Sequence, residues 1–161
     1  MFGFLNKLKG IELCAPLTGE VVDLSEVPDP VFAEKMVGDG IAIKPTKGTV
    51  VAPCDGKVVQ IFSTNHAVGI ETNIGVDLLI HIGIDTVELK GEGFKRLVEE
   101  GENVKKGQPI LEVNLERIEE LGKPIISPFI ITNMDQVEIK EYKKGQVQAG
   151  ESTVLVLKKK K

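Results

Sequence analysis

The chain of 161 residues has no tryptophan, one tyrosine and six phenylalanines, which excludes a core built around large aromatic side chains. Aliphatic side chains must fill it, and 17 glycines with 8 prolines supply turns between short strands rather than long helices. Cysteine is equally scarce. Cys14 and Cys54 are too few for a disulfide framework, and each lies close to a proline in a strand-like segment, which suits a structural thiol in a reducing cytoplasm. Long apolar runs are missing too: the best stretch, 76–84, is broken by Asp77, His81 and Gly83 and falls far short of the ~20 residues that span a bilayer. The N-terminus lacks the apolar region and small-residue cleavage site of a signal peptide, so a cytoplasmic location is expected. Excess positive charge is absent as well. Net charge is −4, and −8 once the lysines Lys158 to Lys161 are set aside, which argues against a general nucleic-acid binder.

What is present is the composition of one folded domain, 42% hydrophobic and 27% charged. An internal echo runs through it. Ala15-Pro16-Leu17-Thr18-Gly19-Glu20-Val21-Val22 returns as Ala52-Pro53-Cys54-Asp55-Gly56-Lys57-Val58-Val59, 37 residues later, and Lys106-Gly107-Gln108 returns as Lys144-Gly145-Gln146. Each is a turn next to an apolar run. The pattern predicts an all-β fold, an antiparallel β-sandwich or barrel built from duplicated hairpin units, with a few short helices. The helix signals are 94–100, between Gly93 and Gly101, and 114–121, with Asn114 as N-cap and Gly122 and Pro124 as stop. The expected organisation is an N-terminal tail over 1–14 and a single domain over 15–161. Within the tail, Phe4, Leu5 and Leu8 fall at helical spacing beside Lys7 and Lys9, as in a frayed terminus or a weak peripheral membrane contact.

Chemistry concentrates in 78–87. Alternation puts Leu78, Ile80, Ile82 and Ile84 on one face and Leu79, His81, Gly83, Asp85 and Val87 on the other. The second face holds an imidazole next to a position without a side chain, where another backbone or a partner can approach. The only other histidine, His66, shares a face with Thr64 if its segment is extended, and the Thr64 hydroxyl can then fix the tautomer of the ring. If the two imidazoles meet, they suit either of two chemistries. They could bind a metal together with a carboxylate such as Asp85, or they could transfer phosphoryl groups, with one neutral ring as nucleophile and the other as hydrogen-bond donor. No Gly-x-x-x-x-Gly-Lys-Ser/Thr loop for a nucleotide is present.

The run His81-Ile82-Gly83-Ile84-Asp85-Thr86-Val87-Glu88-Leu89-Lys90-Gly91-Glu92-Gly93-Phe94 resembles the phosphorylation-site signature of the glucose-family enzyme IIA of the phosphoenolpyruvate-dependent sugar phosphotransferase system. Pro28-Asp29-Pro30-Val31-Phe32-Ala33-Glu34-Lys35-Met36-Val37-Gly38-Asp39-Gly40, Thr64-Asn65-His66-Ala67, Ser127-Pro128 and Asn133-Met134-Asp135 extend the match over nearly the whole chain from Ala15. The resemblance implies a duplicated antiparallel β-sandwich and a free-standing IIA protein without permease domains. It implies that His81 accepts a phosphoryl group at Nε2 from the histidine-containing phosphocarrier protein and passes it to a cysteine of a permease IIB domain. His66 would contact the phosphoryl group, with Thr64 on its other nitrogen, and no cofactor is implied. Asp29 and Asp85 match acidic residues flanking the site. Val31, Phe32, Met36, Val37, Phe62, Leu79 and Val87 match an apolar rim for partners, which extend to regulated enzymes or permeases in the unphosphorylated state. A zinc ion shared between His66, His81 and a partner's carboxylate would fit the same two rings.

Two other classes compete. A lysostaphin-like zinc peptidase shares the duplicated sandwich and would use His81 and Asp85 as ligands, but it needs more histidines than this chain has. A biotinyl or lipoyl carrier uses hairpins like 100–110, but it presents its lysine between methionines, and Glu34-Lys35-Met36-Val37 fits that poorly.

Overall fold

A computed structural model describes residues 10–160. Fourteen strands form three antiparallel sheets among the described residues. The largest has eight strands: β13 (Gly145–Val147), β2 (Gly19–Asp23), β3 (Asp39–Pro45), β11 (Ser127–Ile131), β7 (Asp77–His81), β6 (Ala67–Thr72), β5 (Gly56–Ile61) and β9 (Asn103–Val104), in that order. One three-stranded sheet contains β1 (Ile11–Cys14), β14 (Thr153–Lys159) and β12 (Val137–Tyr142); the other contains β4 (Thr49–Val51), β10 (Pro109–Val113) and β8 (Phe94–Arg96). All three contribute to one aliphatic core that includes Leu13, Leu155, Val50, Leu111, Ile43, Phe129, Ile80, Ile70 and Val58. The sheets therefore stack as an open sandwich. The large sheet ends in two short edge strands and does not close into a barrel.

The echo in the sequence is an echo in space. Both of its copies turn into a strand at glycine, Gly19 opening β2 and Gly56 opening β5, and these strands lie second from opposite edges of the large sheet. Exchanging β1, β2, β3, β11, β12, β13 and β14 with β4, β5, β6, β7, β8, β9 and β10 reproduces every strand order. The second unit is continuous, whereas the first is split around it. The duplicated strands β7 and β11 pair with each other at the centre, with Phe129 opposite Ile80 and Ile131 opposite Leu78.

A second, smaller apolar cluster covers the other face of the large sheet. Val22, Leu24, Val27, Phe32, Ala42, Ile84, Ile126 and Ile130 form it, with Leu79 packed alongside. Its lid is a 3-10 turn at Leu24–Glu26 and a one-turn helix α1 (Pro30–Ala33). Asp29 caps α1 by accepting the Val31 N–H at 3.0 Å, with proline in the first turn where no N–H is needed. The second helix, α2 (Leu115–Glu120), begins where expected, Asn114 accepting the Arg117 N–H at 3.0 Å.

Four expectations need correction or fall outside the description. The helix expected at 94–100 is a strand at its start. Phe94 to Arg96 pair with Leu111 to Val113, and that pairing with a distant strand outweighs a short local helical pattern. The strand expected over 78–87 ends at His81, because Gly83 (φ +71°) and Asp85 (φ +59°) turn the chain into a 3-10 helix at Thr86–Leu89. Ile11–Cys14, expected in the tail over 1–14, form a strand that pairs with β14. The amphipathic turn over Phe4, Leu5 and Leu8 lies outside the described residues. Cys14 and Cys54 are both free, and burial first and Asp55 second push the Cys54 thiol up to about 12, which keeps it protonated and unreactive.

Because Phe129 sits in the central strand pair and is fully buried, Phe129→Ala is expected to cost about 3–5 kcal/mol. Urea unfolding measures this, and a loss under about 1 kcal/mol would show that the two halves do not depend on their central seam.

Candidate functional site

His81 is the last residue of β7, and strand register brings His66 to it. Ala67, the first residue of β6, pairs with His81, and the Ile82 N–H donates to the His66 carbonyl at 2.8 Å. The two rings lie edge to face with centroids 5.0 Å apart. Phe62 stands edge-on to His66 at 5.2 Å, and Phe32 is tilted against His81 at 4.9 Å. Both imidazoles thus have apolar walls on one side and each other across the gap.

Each ring is held by its Nδ1. His81 Nδ1–H donates to the Gly83 carbonyl at 2.8 Å; the carbonyl can only accept, so the proton is on Nδ1 and Nε2 keeps its lone pair. His66 Nδ1 meets the Thr64 hydroxyl at 2.5 Å. A hydroxyl that donates there leaves the His66 proton on Nε2, and the two rings then present one acceptor and one donor nitrogen. The turn carrying Thr64 and His66 is braced by Asn65, which adopts φ +60° while its side-chain oxygen accepts Arg96 Nε–H at 2.8 Å.

The surroundings keep both rings neutral. Burial, and secondarily His81, lowers His66 from the ordinary value to about 4. His81 is also lowered by burial, opposed by its bond to Gly83 and by the negative charges of Asp29 and Asp85. These carboxylates come from different elements, one capping α1 and the other in the left-handed turn after β7.

Around the rings the residues of the expected apolar rim divide. Met36 (69% exposed), Val87 (53%), Val31 and Val37 are open to solvent, whereas Phe62 and Leu79 are partly covered. Phe32 is only 6% exposed, so it packs as an apolar wall against the His81 ring and not as open rim. No group of three or more His, Cys, Asp or Glu side chains able to hold a metal occurs among the described residues. The two histidines alone are two ligands of a zinc shell, which a peptidase would have to complete from its own chain. Sequence reasoning missed the Gly83 carbonyl, the Asn65–Arg96 brace and the buried hydroxyl of Ser127 behind Gly83. Of these only the paired left-handed signals, Asn65 and Gly83, were visible as turn residues.

This open sandwich with a central histidine pair is of the IIA type. The solved structure of the glucose permease IIA from Mycoplasma capricolum superposes with a TM-score of 0.87 at 39% identity, over 92% of this chain and 96% of that one. Residues 11–137 match the model of the phosphoenolpyruvate-dependent sugar phosphotransferase system, EIIA 1, and the chain belongs to that family. The glucose-specific EIIA component of Haemophilus influenzae is 49% identical over 154 residues, covering 96% of this chain and 93% of that protein. The glucoside-specific EIICBA component of Staphylococcus carnosus is 54% identical over 147 residues, which are 91% of this chain but only 21% of that protein. The chain is therefore a phosphoryl-carrying component of the sugar phosphotransferase system. No helix among the described residues is long and apolar enough to cross a membrane.

The neutral His66 links the site to stability. Unfolded His66 takes up a proton near pH 6.5 whereas native His66 does so only at about 4, so the unfolded state binds more protons in between and stability falls as pH falls through that window. The difference in unfolding free energy between wild type and His66→Gln should accordingly shrink from pH 6.5 down to about 4. A difference independent of pH would show that His66 binds its proton equally well in the native and the unfolded protein.

Proposed function

We propose that His81 accepts a phosphoryl group from the histidine-containing phosphocarrier protein and passes it to a cysteine in the IIB domain of a glucose-type permease. The observation that carries this reading is the 2.8 Å bond from His81 Nδ1–H to the Gly83 carbonyl, which leaves the Nε2 lone pair free. In the first step Nε2 forms a bond to phosphorus as the P–N bond of the donor's phosphohistidine breaks, and that electron pair returns to the donor's imidazole. The Nδ1 proton stays in place. In the second step a cysteine thiolate forms the S–P bond, and the pair of the breaking N–P bond returns to His81 Nε2. Atoms and charge balance without a cofactor.

His66 supplies the complementary half. With Thr64 donating to its Nδ1, its Nε2–H points a fixed donor at the phosphoryl oxygens, and the low dielectric of the site strengthens that bond. Asp29 and Asp85 would meet a positively charged partner face, which speeds encounter more than it tightens the complex. Val31, Met36, Val37 and Val87 give a small apolar docking ring, with Phe62 and Leu79 at its inner edge and Phe32 beneath it. The glucose assignment draws on the names of the relatives. The same face would serve regulated enzymes or permeases in the unphosphorylated state, and a zinc ion there would need His66, His81 and ligands from such a partner. The cytoplasm is the compartment in which these exchanges fit.

Intact mass after incubation with phosphoenolpyruvate, enzyme I and the phosphocarrier protein tests the reading. Wild type is expected to gain one acid-labile phosphoryl adduct and His81→Ala none. His66→Gln is expected to accept the group but to fail in handing it to IIB. No adduct on wild type, while a control IIA protein reacts in the same tube, would overturn the role of His81; normal onward transfer by His66→Gln would overturn that of His66.

The depressed proton affinity of His81 gives a further expectation. Only the neutral ring is nucleophilic, so the pH at which the acceptance rate falls to half should lie below the ordinary 6.5 of an imidazole. A stopped-flow or quench profile that halves at or above pH 6.5 would contradict it.

A further inference from the structure

The Gly83 carbonyl that fixes His81 is itself fixed from behind. Ser127, the first residue of β11, is 1% exposed, and its Oγ donates to the Ile125 carbonyl at 2.8 Å while accepting the Gly83 N–H at 3.1 Å. One peptide further on, the Ile84 N–H donates to the Pro124 carbonyl at 3.1 Å. That peptide is the one whose oxygen accepts from His81. Two successive peptide groups of the His81 turn are thus tied by their N–H groups to the 124–127 segment.

The turn has little slack in other directions. A Cβ on Gly83 would stand 2.6 Å from Thr86 Cγ2 and 2.7 Å from the Pro124 oxygen, and Gly83 holds φ +71°. The buried Thr86 hydroxyl donates to the Ile82 carbonyl at 2.6 Å. Toward solvent, Lys123 Nζ and Glu88 Oε1 pair at 2.8 Å and tie the start of the same segment to the 3-10 helix. Of these restraints the Ser127 hydroxyl is the one side-chain acceptor inside the turn. Without it the Gly83 N–H is a buried donor with no partner, and a rotation of the Ile82–Gly83 peptide to relieve it changes the backbone angles at Gly83 and so the direction of the Gly83 carbonyl on the next peptide.

We infer that Ser127 is a positioning residue for phosphoryl transfer: through Gly83 its hydroxyl aims the carbonyl that keeps the proton on His81 Nδ1 and the lone pair on Nε2. The inference rests on the proposed role of His81 but acts one layer behind it. A hydroxyl that merely satisfied itself in the core would need only the Ile125 carbonyl. The bond to the Gly83 N–H is the part that reaches the site.

The test compares wild type, Ser127→Ala and Ser127→Cys, with folding checked by thermal unfolding. Cysteine keeps the side-chain size but replaces the oxygen with a poor acceptor, and it carries the test if the alanine variant does not fold. Nitrogen-15 NMR of the imidazoles reads the tautomer without any phosphoryl donor, and quench-flow reads acceptance from the phosphocarrier protein. In the folded variants His81 is expected to gain a measurable Nε2–H population and to titrate at lower pH than in wild type, with the His66 signals unmoved. Acceptance is expected to slow by about tenfold or more, within the ~100-fold that a 1 Å misplacement costs. A wild-type tautomer in the variants, or a shifted tautomer with an unchanged acceptance rate, overturns the inference. Failure of wild type to accept a phosphoryl group at all would strike the role of His81 instead, and the NMR comparison would still report whether Ser127 holds its tautomer.

Discussion

A single hydrogen bond, from His81 Nδ1 to the Gly83 carbonyl, decides what this site can do. Neutral imidazole has one proton and two nitrogens, and a nucleophile is produced at the outer nitrogen only if the inner one is made to hold the proton. A carbonyl is a suitable restraint because it cannot donate, so no rearrangement of hydrogens inverts the assignment. The bond also counteracts part of the effect of burial, since it favours the charged ring while the apolar walls disfavour it. The ring therefore stays neutral near pH 7 and remains basic enough to attack phosphorus. Thr64 and His66 show the complementary use of the same device: a hydroxyl, which can donate, sits where a carbonyl would have forced the other tautomer.

Such a bond is only as reliable as the backbone that supplies its acceptor, and the duplicated architecture explains that reliability. β7 and β11 are equivalent strands of the two units, and they meet at the middle of the eight-stranded sheet. The site lies at the end of this pair, where β7 stops at His81 and β11 starts at Ser127. The central strand pair of the large sheet thus delivers both His81 and the segment that backs its turn. Neighbouring β6 contributes His66 through the adjacent register. On the proposed reading the docking ring lies above a support built into the core, which suits a carrier that must present the same geometry to a donor and to an acceptor.

Much of this was legible in the residues. The echo around Ala15-Pro16 and Ala52-Pro53 marked the duplicated units, and both copies run from a turn into a strand, at Gly19 and Gly56. Alternation correctly separated the buried Leu78 and Ile80 from Leu79 and His81. It failed beyond His81 because Ile82 and Ile84 remain buried in a turn, where period-two spacing continues without a strand. The expected helix over 94–100 failed for a related reason: a short run has too little local preference to resist pairing with the distant strand β10. The helical turn at Asp29-Pro30 was visible as a cap followed by proline and went unread. Phe32 was expected in the rim from the family resemblance alone, yet the one-turn helix directs it inward onto His81. The meeting of His66 with His81 depended on strand register, which spacing along a chain does not specify.

Burial sets the final constraint, because it acts on both partners of the transfer. Desolvation keeps His81 neutral, but on the proposed role of His81 a phosphoryl group arriving there would bring negative charge into the same apolar surroundings, next to Asp29 and Asp85. Nearby carboxylates destabilise that charge, and His66, held neutral to about pH 4, has a hydrogen-bond donor to offer it but no full positive charge. On that reading the bound group would be held loosely by its own site, and a basic partner surface would relieve the repulsion only while docked. For an intermediate that must be gained and given away at comparable cost, weak stabilisation by the carrier is the useful condition: a cationic second ring would hold the phosphoryl group more tightly and slow its departure.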